Sequence, residues 1–87
     1  MISMSREEFK ERIRTWLEYR IKSARGSVIS VSSRKFYNWL GDPNINRVEF
    51  WKCVEELAPE LGLVPIECLS RNRKRRVVYL IRERVKF

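Results

Sequence analysis

At Leu63 the apolar residues of this 87-residue chain stop recurring every three and four positions and begin to alternate, which divides it into a helical part and a strand part. Upstream, Phe9, Ile13, Trp16, Leu17, Ile21 and Ala24 form one helical stripe, interrupted only by the aliphatic stem of Arg20. Phe36, Tyr37, Trp39 and Leu40 form a shorter stripe, and Phe50, Trp51, Val54, Leu57, Ala58 and Leu61 a third. Downstream, Val64, Ile66 and Cys68 alternate with Leu63, Glu67 and Leu69, and Val77 to Ile81 is rich in strand formers. The pattern predicts an α+β domain: three helices, a small antiparallel sheet and a C-terminal β-hairpin.

Local signals set the boundaries. Ser5-Arg6-Glu7-Glu8 has the form of a capping box, so helix 1 is predicted from Arg6 to Ser23. Arg25-Gly26-Ser27 breaks the period before Val28 to Val31, a short β-branched run with room for only a small strand. Ser32 and Ser33 can cap a two-turn second helix that Gly41-Asp42-Pro43-Asn44 stops. Asn46, with Glu49 three residues on, opens helix 3, predicted from Arg47 to Leu61, with Pro59 tightening its end and Gly62 terminating it. Ser70 to Arg75 is polar and turn-compatible and joins the last two strands. A chain this short has material for one core, so residues 1–87 are expected to form one domain.

Nineteen Lys and Arg against eleven Asp and Glu leave a formal charge of +8, which makes a polyanion the leading partner. No apolar run approaches the roughly 18 residues that span a bilayer, and no signal-peptide core is present. An intracellular, cytoplasmic protein with no membrane partner is expected, nucleoid-associated if it binds DNA. The lack of Gln, the single Asp and the preference for Arg and Glu lean towards a thermophilic source. In that setting a Cys53–Cys68 disulfide becomes conceivable inside a cell, the alternative being two half-buried free thiols. With no His and two distant Cys, no metal site is expected. Ser-His and Cys-His nucleophiles, a phosphate-binding glycine loop and a paired-carboxylate cleft are absent from the sequence as well, so neither catalysis nor a cofactor is expected.

The order helix, short strand, helix, turn, helix, strand, basic loop, strand over residues 6 to about 83 resembles the winged helix-turn-helix DNA-binding domain, in the form of small archaeal or thermophile-like regulators. The resemblance lies in the order of elements and not in signature residues. It implies that Ser33 to Leu40 and Arg47 to Leu61 form the helix-turn-helix, with the second as recognition helix, and that Ser70 to Arg76 form the wing. Dimerisation through helix 1 or the last strand is common in that family, so the resemblance also allows a homodimer.

The position of the charge sharpens the expectation. Between Gly62 and Phe87 eight basic residues face only Glu67 and Glu83, giving +6 of the +8 total. Arg71, Arg73, Lys74, Arg75 and Arg76 stand within six positions, and like charges crowded on one turn repel each other unless something offsets them. On a protruding hairpin they can reach phosphates or a minor groove. Arg34 and Lys35, opening helix 2, are candidates for backbone contacts. Helix 3 departs from the family pattern, because Arg47 and Lys52 are outnumbered by Glu49, Glu55, Glu56 and Glu60. With the apolar stripe inward, Glu49, Lys52, Glu55 and Glu56 should face solvent, where phosphate walls would repel the carboxylates. Only its N-terminal end, with Asn44, Asn46, Arg47 and Lys52, is then expected to approach DNA. Trp16, Trp39 and Trp51, with Phe9, Phe36 and Phe50, fall on or beside the stripes and are expected in the core.

Two functions fit this reading. One is a double-stranded DNA-binding regulator of transcription or chromatin, bound through the wing with low or moderate sequence specificity, RNA being open as a target. The other is an accessory subunit of a replication, transcription or RNA-processing complex, docking a basic protein partner on Glu49, Glu55 and Glu56.

Overall fold

The computed structural model describes residues 5–41, 46–71 and 74–84. The elements are α1 (Arg6–Ser23), β1 (Val28–Ser32), α2 (Ser33–Leu40), α3 (Arg47–Glu60), β2 (Leu63–Arg71) and β3 (Lys74–Ile81), closed by a 3-10 turn over Arg82–Arg84. The predicted α+β architecture is present: three helices, a three-stranded antiparallel sheet and a C-terminal hairpin formed by β2 and β3. The helices and sheet together make a helix-turn-helix-like arrangement.

Each helix begins on a side chain suited to the task. The Ser5 hydroxyl accepts from Glu8 N–H at 3.2 Å and the Ser32 hydroxyl from Lys35 N–H at 3.3 Å. Ser32 is thus the cap of α2, and Ser33 is its buried first residue. The Asn46 side-chain oxygen accepts from both Val48 and Glu49 N–H, at 3.0 and 3.2 Å. Gly41 ends α2 with φ of 81° and donates to the Tyr37 carbonyl at 2.7 Å. Gly62, at φ 72°, turns the chain out of α3, which ends one residue earlier than the periodicity predicts.

The strand order is β1-β3-β2, so β3 lies in the middle. Ile29 opposite Tyr79 and Val31 opposite Val77 are buried on the face towards the helices. The aromatic centre of the core is Phe36, fully buried, with ring centroids of Trp16 and Phe50 at 5.4 and 5.3 Å and of Phe9 at 5.8 Å. Trp16, Phe50 and Trp51 are buried as expected, and Phe9 is packed against the core while partly exposed. Trp39 is not a core residue: it stacks on Phe36 from outside at 6.2 Å and stays 40% exposed, because the two-turn α2 ends before its last turn is covered.

The hairpin differs from the sequence expectation in two ways. Pairing continues to Ser70 opposite Arg75 and Arg71 opposite Lys74, so the basic stretch is mostly strand and not loop. A bulge between Pro65 and Glu67 then changes the side-chain parity of β2. Cys68, opposite the buried Val77, therefore lies on the face of Leu63 and not on that of Val64. From Val64 to Ser70 the strand is exposed along its whole length, projecting beyond the helices.

Two arginines with no predicted role hold the frame. In the β1–β3 ladder the Ser27 carbonyl accepts from Ile81 N–H, and alternation turns the Ser30 carbonyl outward to the open edge. Arg20 from α1 donates to that carbonyl at 3.0 Å and so closes the edge of β1. Arg84 donates to the carbonyls of Ile21, Ala24 and Gly26, joining the end of the chain to the end of α1.

Cys53 is fully buried on α3, Cys68 is exposed, and both are free thiols. Neither is half-buried. Loss of water pushes the Cys53 thiol above its ordinary range, and Glu56 and Glu49 add to the effect. In native protein a thiol reagent is expected to modify Cys68 rapidly and Cys53 only after denaturant is added. Rapid reaction of both would contradict the packing of α3.

Candidate nucleic-acid interface

The charges of α3 are largely answered within the chain. Arg6 of α1 lies 3.3 Å from Glu49 and 3.6 Å from Glu56, Lys10 lies 3.0 Å from Glu56, and Arg14 lies 3.2 Å from Glu60. Glu55 is met by Arg75 of the hairpin at 3.4 Å. The acidic side of α3 is therefore a seam with α1, and Glu49 is only partly exposed there. Among the described residues the i, i+4 neighbours Glu8–Arg12 and Glu18–Lys22 do not close into ion pairs, and the cations of α1 that do pair reach α3 or, for Arg14, also Glu11.

Such exposed pairs are individually worth little, but they have a pH signature. The Lys10 ammonium, by hydrogen bond and then by charge, holds Glu56 below its ordinary value of 4.5. A depressed carboxylate contributes stability that is present above the unfolded value and lost as pH falls through the folded one. Unfolding followed by circular dichroism should therefore show stability falling below about pH 4.5. Lys10→Met should flatten that part of the profile, and an unchanged slope would remove the pair from the account.

Among the described residues, cations without a carboxylate partner remain on α1, at Arg12 and Lys22, and beyond the seam as well. Among the described residues Arg34, Lys35, Arg47, Lys52 and Arg76 have no carboxylate within ion-pair distance. Arg47 and Lys52 join Ser33, Val48, Trp51, Glu55 and Arg75 in lining an open cleft of about 340 Å³ between the start of α2, the outer side of α3 and the hairpin. Val48 is 65% exposed at its mouth. On its wall the Arg75 guanidinium lies 4.7 Å from the centre of the Trp51 ring, a cation–π contact that together with Glu55 holds it against α3.

The ladder distributes the basic hairpin over two faces. Arg75 shares the helix-facing side with Val77 and Tyr79. On the outer side the rungs read Val28–Leu80–Val64, then Ser30–Val78–Glu67, then Ser32–Arg76–Leu69. Among the described residues the outer face thus passes from apolar at its base, through Glu67, to Arg76. One rung from Arg76, the Ser30 hydroxyl accepts from Lys35 Nζ at 2.7 Å.

The sequence-predicted positions divide accordingly. Arg34, Lys35, Arg47 and Lys52 are exposed, with Arg47, Lys52 and Arg75 brought together at the cleft. On the other face Arg76 stands opposite Ser32, one rung from the Ser30 hydroxyl to which Lys35 donates. Asn46 is exposed, but its side-chain oxygen is committed to the cap of α3. Arg71 and Lys74 are placed by backbone register only, and Arg73 and Asn44 lie outside the described residues. Arg20 was not anticipated at this surface, since its place in the apolar stripe of α1 marks only its stem. Among the described residues no cluster of His, Cys, Asp or Glu suited to a metal ion occurs, and no helix is long and apolar enough to cross a membrane.

No protein family, curated protein or solved structure matches the chain in comparisons of each kind.

Proposed function

We propose that the chain is a winged-helix, non-catalytic nucleic-acid-binding module whose partner is double-stranded DNA, bound mainly through phosphates with low or moderate sequence specificity. The observation that carries this reading is the partition of charge. Carboxylates of α3 are tied to α1 and to Arg75, while Arg34, Lys35, Arg47, Lys52 and Arg76 are left free at the start of α2, the outer side of α3 and the hairpin. Clustered free cations gain affinity by releasing counterions from a polyphosphate, whereas paired ones have already given up that advantage. Few groups are placed to read base edges: Asn46 is occupied as a cap, and Arg47, Val48 and Lys52 are the exposed side chains of the first turns of α3 beside the cleft. A regulator of transcription or chromatin acting through modest specificity fits that inventory.

The same pairing weighs against docking of a basic protein on Glu49, Glu55 and Glu56, since such a partner must displace Arg6, Lys10 and Arg75. Fluorescence anisotropy with duplex DNA, single-stranded DNA and RNA at two salt concentrations tests the choice. Tightest binding to duplex, weakening steeply with salt, is the expected result. Equal, salt-insensitive and weak binding to all three would remove nucleic acid as the partner.

A further inference from the structure

Three cations from three different elements converge on the outer side of β1. Arg20 of α1 donates through Nη2 to the Ser30 carbonyl, Lys35 of α2 donates through Nζ to the Ser30 hydroxyl, and Arg76 of β3 stands opposite Ser32 one rung further on. Among the described residues none of the three has a carboxylate partner. Glu67 lies on the same face, but Val78 stands between it and Ser30, which separates the two strands by roughly 10 Å. The first turn of α2 carries no acidic residue either.

Two further observations set this group apart. Among the described residues three buried polar side-chain atoms lack a hydrogen-bond partner: Arg14 Nε, Glu49 Oε2 and Arg20 Nε. The first two lie within ion-pair distance of Glu11 and Arg6, at 3.4 and 3.3 Å. Arg20 Nε has no such charge beside it. The Lys35 ammonium is held below its ordinary range, by loss of water first and then by Arg20 and Arg76. Crowding of like charges is unfavourable, and an anion beside the three cations relieves it.

We infer that Arg20, Lys35 and Arg76, with the Ser30 hydroxyl, form an oxyanion site that accepts one phosphate group on the outer face of the sheet. Planar guanidinium groups and an ammonium suit the several oxygens of a phosphate, and each such bond is charge-assisted. The phosphate is either a diester of a nucleic-acid backbone or free phosphate. Assigning it to a backbone rests on the proposed function, but the site does not. As a backbone contact it places nucleic acid on the hairpin face opposite the α3 cleft, so that the strand is gripped from both sides.

Arginine Nε–Hε and lysine side-chain resonances of the whole chain report on the site directly. At constant ionic strength, inorganic phosphate should shift the Arg20 Nε–Hε signal saturably and raise the Lys35 titration midpoint, while chloride should do neither. Lys35→Gln and Arg76→Gln should each weaken phosphate binding about tenfold, with the remaining amide spectrum retaining its native dispersion. Absence of a saturable shift, an equal response to chloride, or indifference to both variants would overturn the site. Duplex DNA with the same variants separates the two sources. A parallel loss of duplex affinity supports the backbone diester, and unchanged duplex affinity overturns that assignment in favour of free phosphate. Phosphate binding in a chain that binds no nucleic acid would overturn the proposed function alone.

Discussion

Phe36→Ala is expected to destabilise the domain by about 3–5 kcal/mol, far more than the removal of any surface charge. The ring is fully buried and touches aromatic partners from α1, α2 and α3, so truncation leaves a cavity that no one element can fill by relaxing. A domain of this size has a total stability of roughly 5–10 kcal/mol, and the variant should be close to unfolding in buffer. Urea denaturation measures this directly. A loss below about 1 kcal/mol would mean that the aromatic cluster is not the centre of the core. Because Phe36 also sets the position of α2, folded variant molecules should bind nucleic acid poorly through the displacement of Ser33, Arg34 and Lys35.

Replacing Arg71, Arg73, Lys74, Arg75 and Arg76 together by Ala is expected to lower duplex DNA affinity at least about a hundredfold at moderate salt, since every phosphate that no longer meets a cation keeps its condensed counterions. The strands pair through their backbone ladder and Arg75 adds only surface contacts to Trp51 and Glu55, so the fold should survive, as circular dichroism can verify. The two faces of the hairpin should respond unequally. Arg75→Ala alone should reduce affinity less than Arg76→Ala, because Arg75 is already held by Glu55 and Trp51 while Arg76 is free. The reverse order would mean that the helix-facing side of the hairpin carries the larger share of the contact. Unchanged affinity in the fivefold variant would remove the hairpin from the interface.

Much of the fold is legible in the sequence where a local chemical cause acts alone. Ser5, Ser32 and Asn46 begin their helices and Gly41 and Gly62 end theirs because capping and left-handed backbone depend on a few adjacent residues. The hairpin is legible as an element but not in its extent. Arg71 and Lys74 carry no strong strand preference and pair because β2 and β3 continue past the core, which is a tertiary effect. The bulge at Pro65 to Glu67 is hidden for a related reason: along an exposed strand the alternation of apolar and polar residues no longer reports which face is buried.

The candidate interface is legible as charge and illegible as pairing. Counting residues on α3 predicts an acidic surface, but the cations that answer Glu49 and Glu56 come from Arg6 and Lys10, about forty positions earlier. No local pattern relates them. For the same reason Arg20 and Arg84 read as members of a helix stripe and of a basic tail, although one closes the edge of β1 and the other ties the chain end to α1. Sequence alone therefore locates the excess charge near the hairpin, and the structure shows that Arg75 is paired with Glu55 while Arg76 has no carboxylate partner among the described residues.

The salt dependence of duplex DNA binding tests that central claim most directly. With about five phosphates neutralised, the logarithm of the association constant should fall against the logarithm of salt concentration with a slope near −4 to −5, and the fivefold hairpin variant should have a clearly shallower slope. A slope near zero, or the same steep slope in both proteins, would contradict the assignment of the hairpin as the principal phosphate contact.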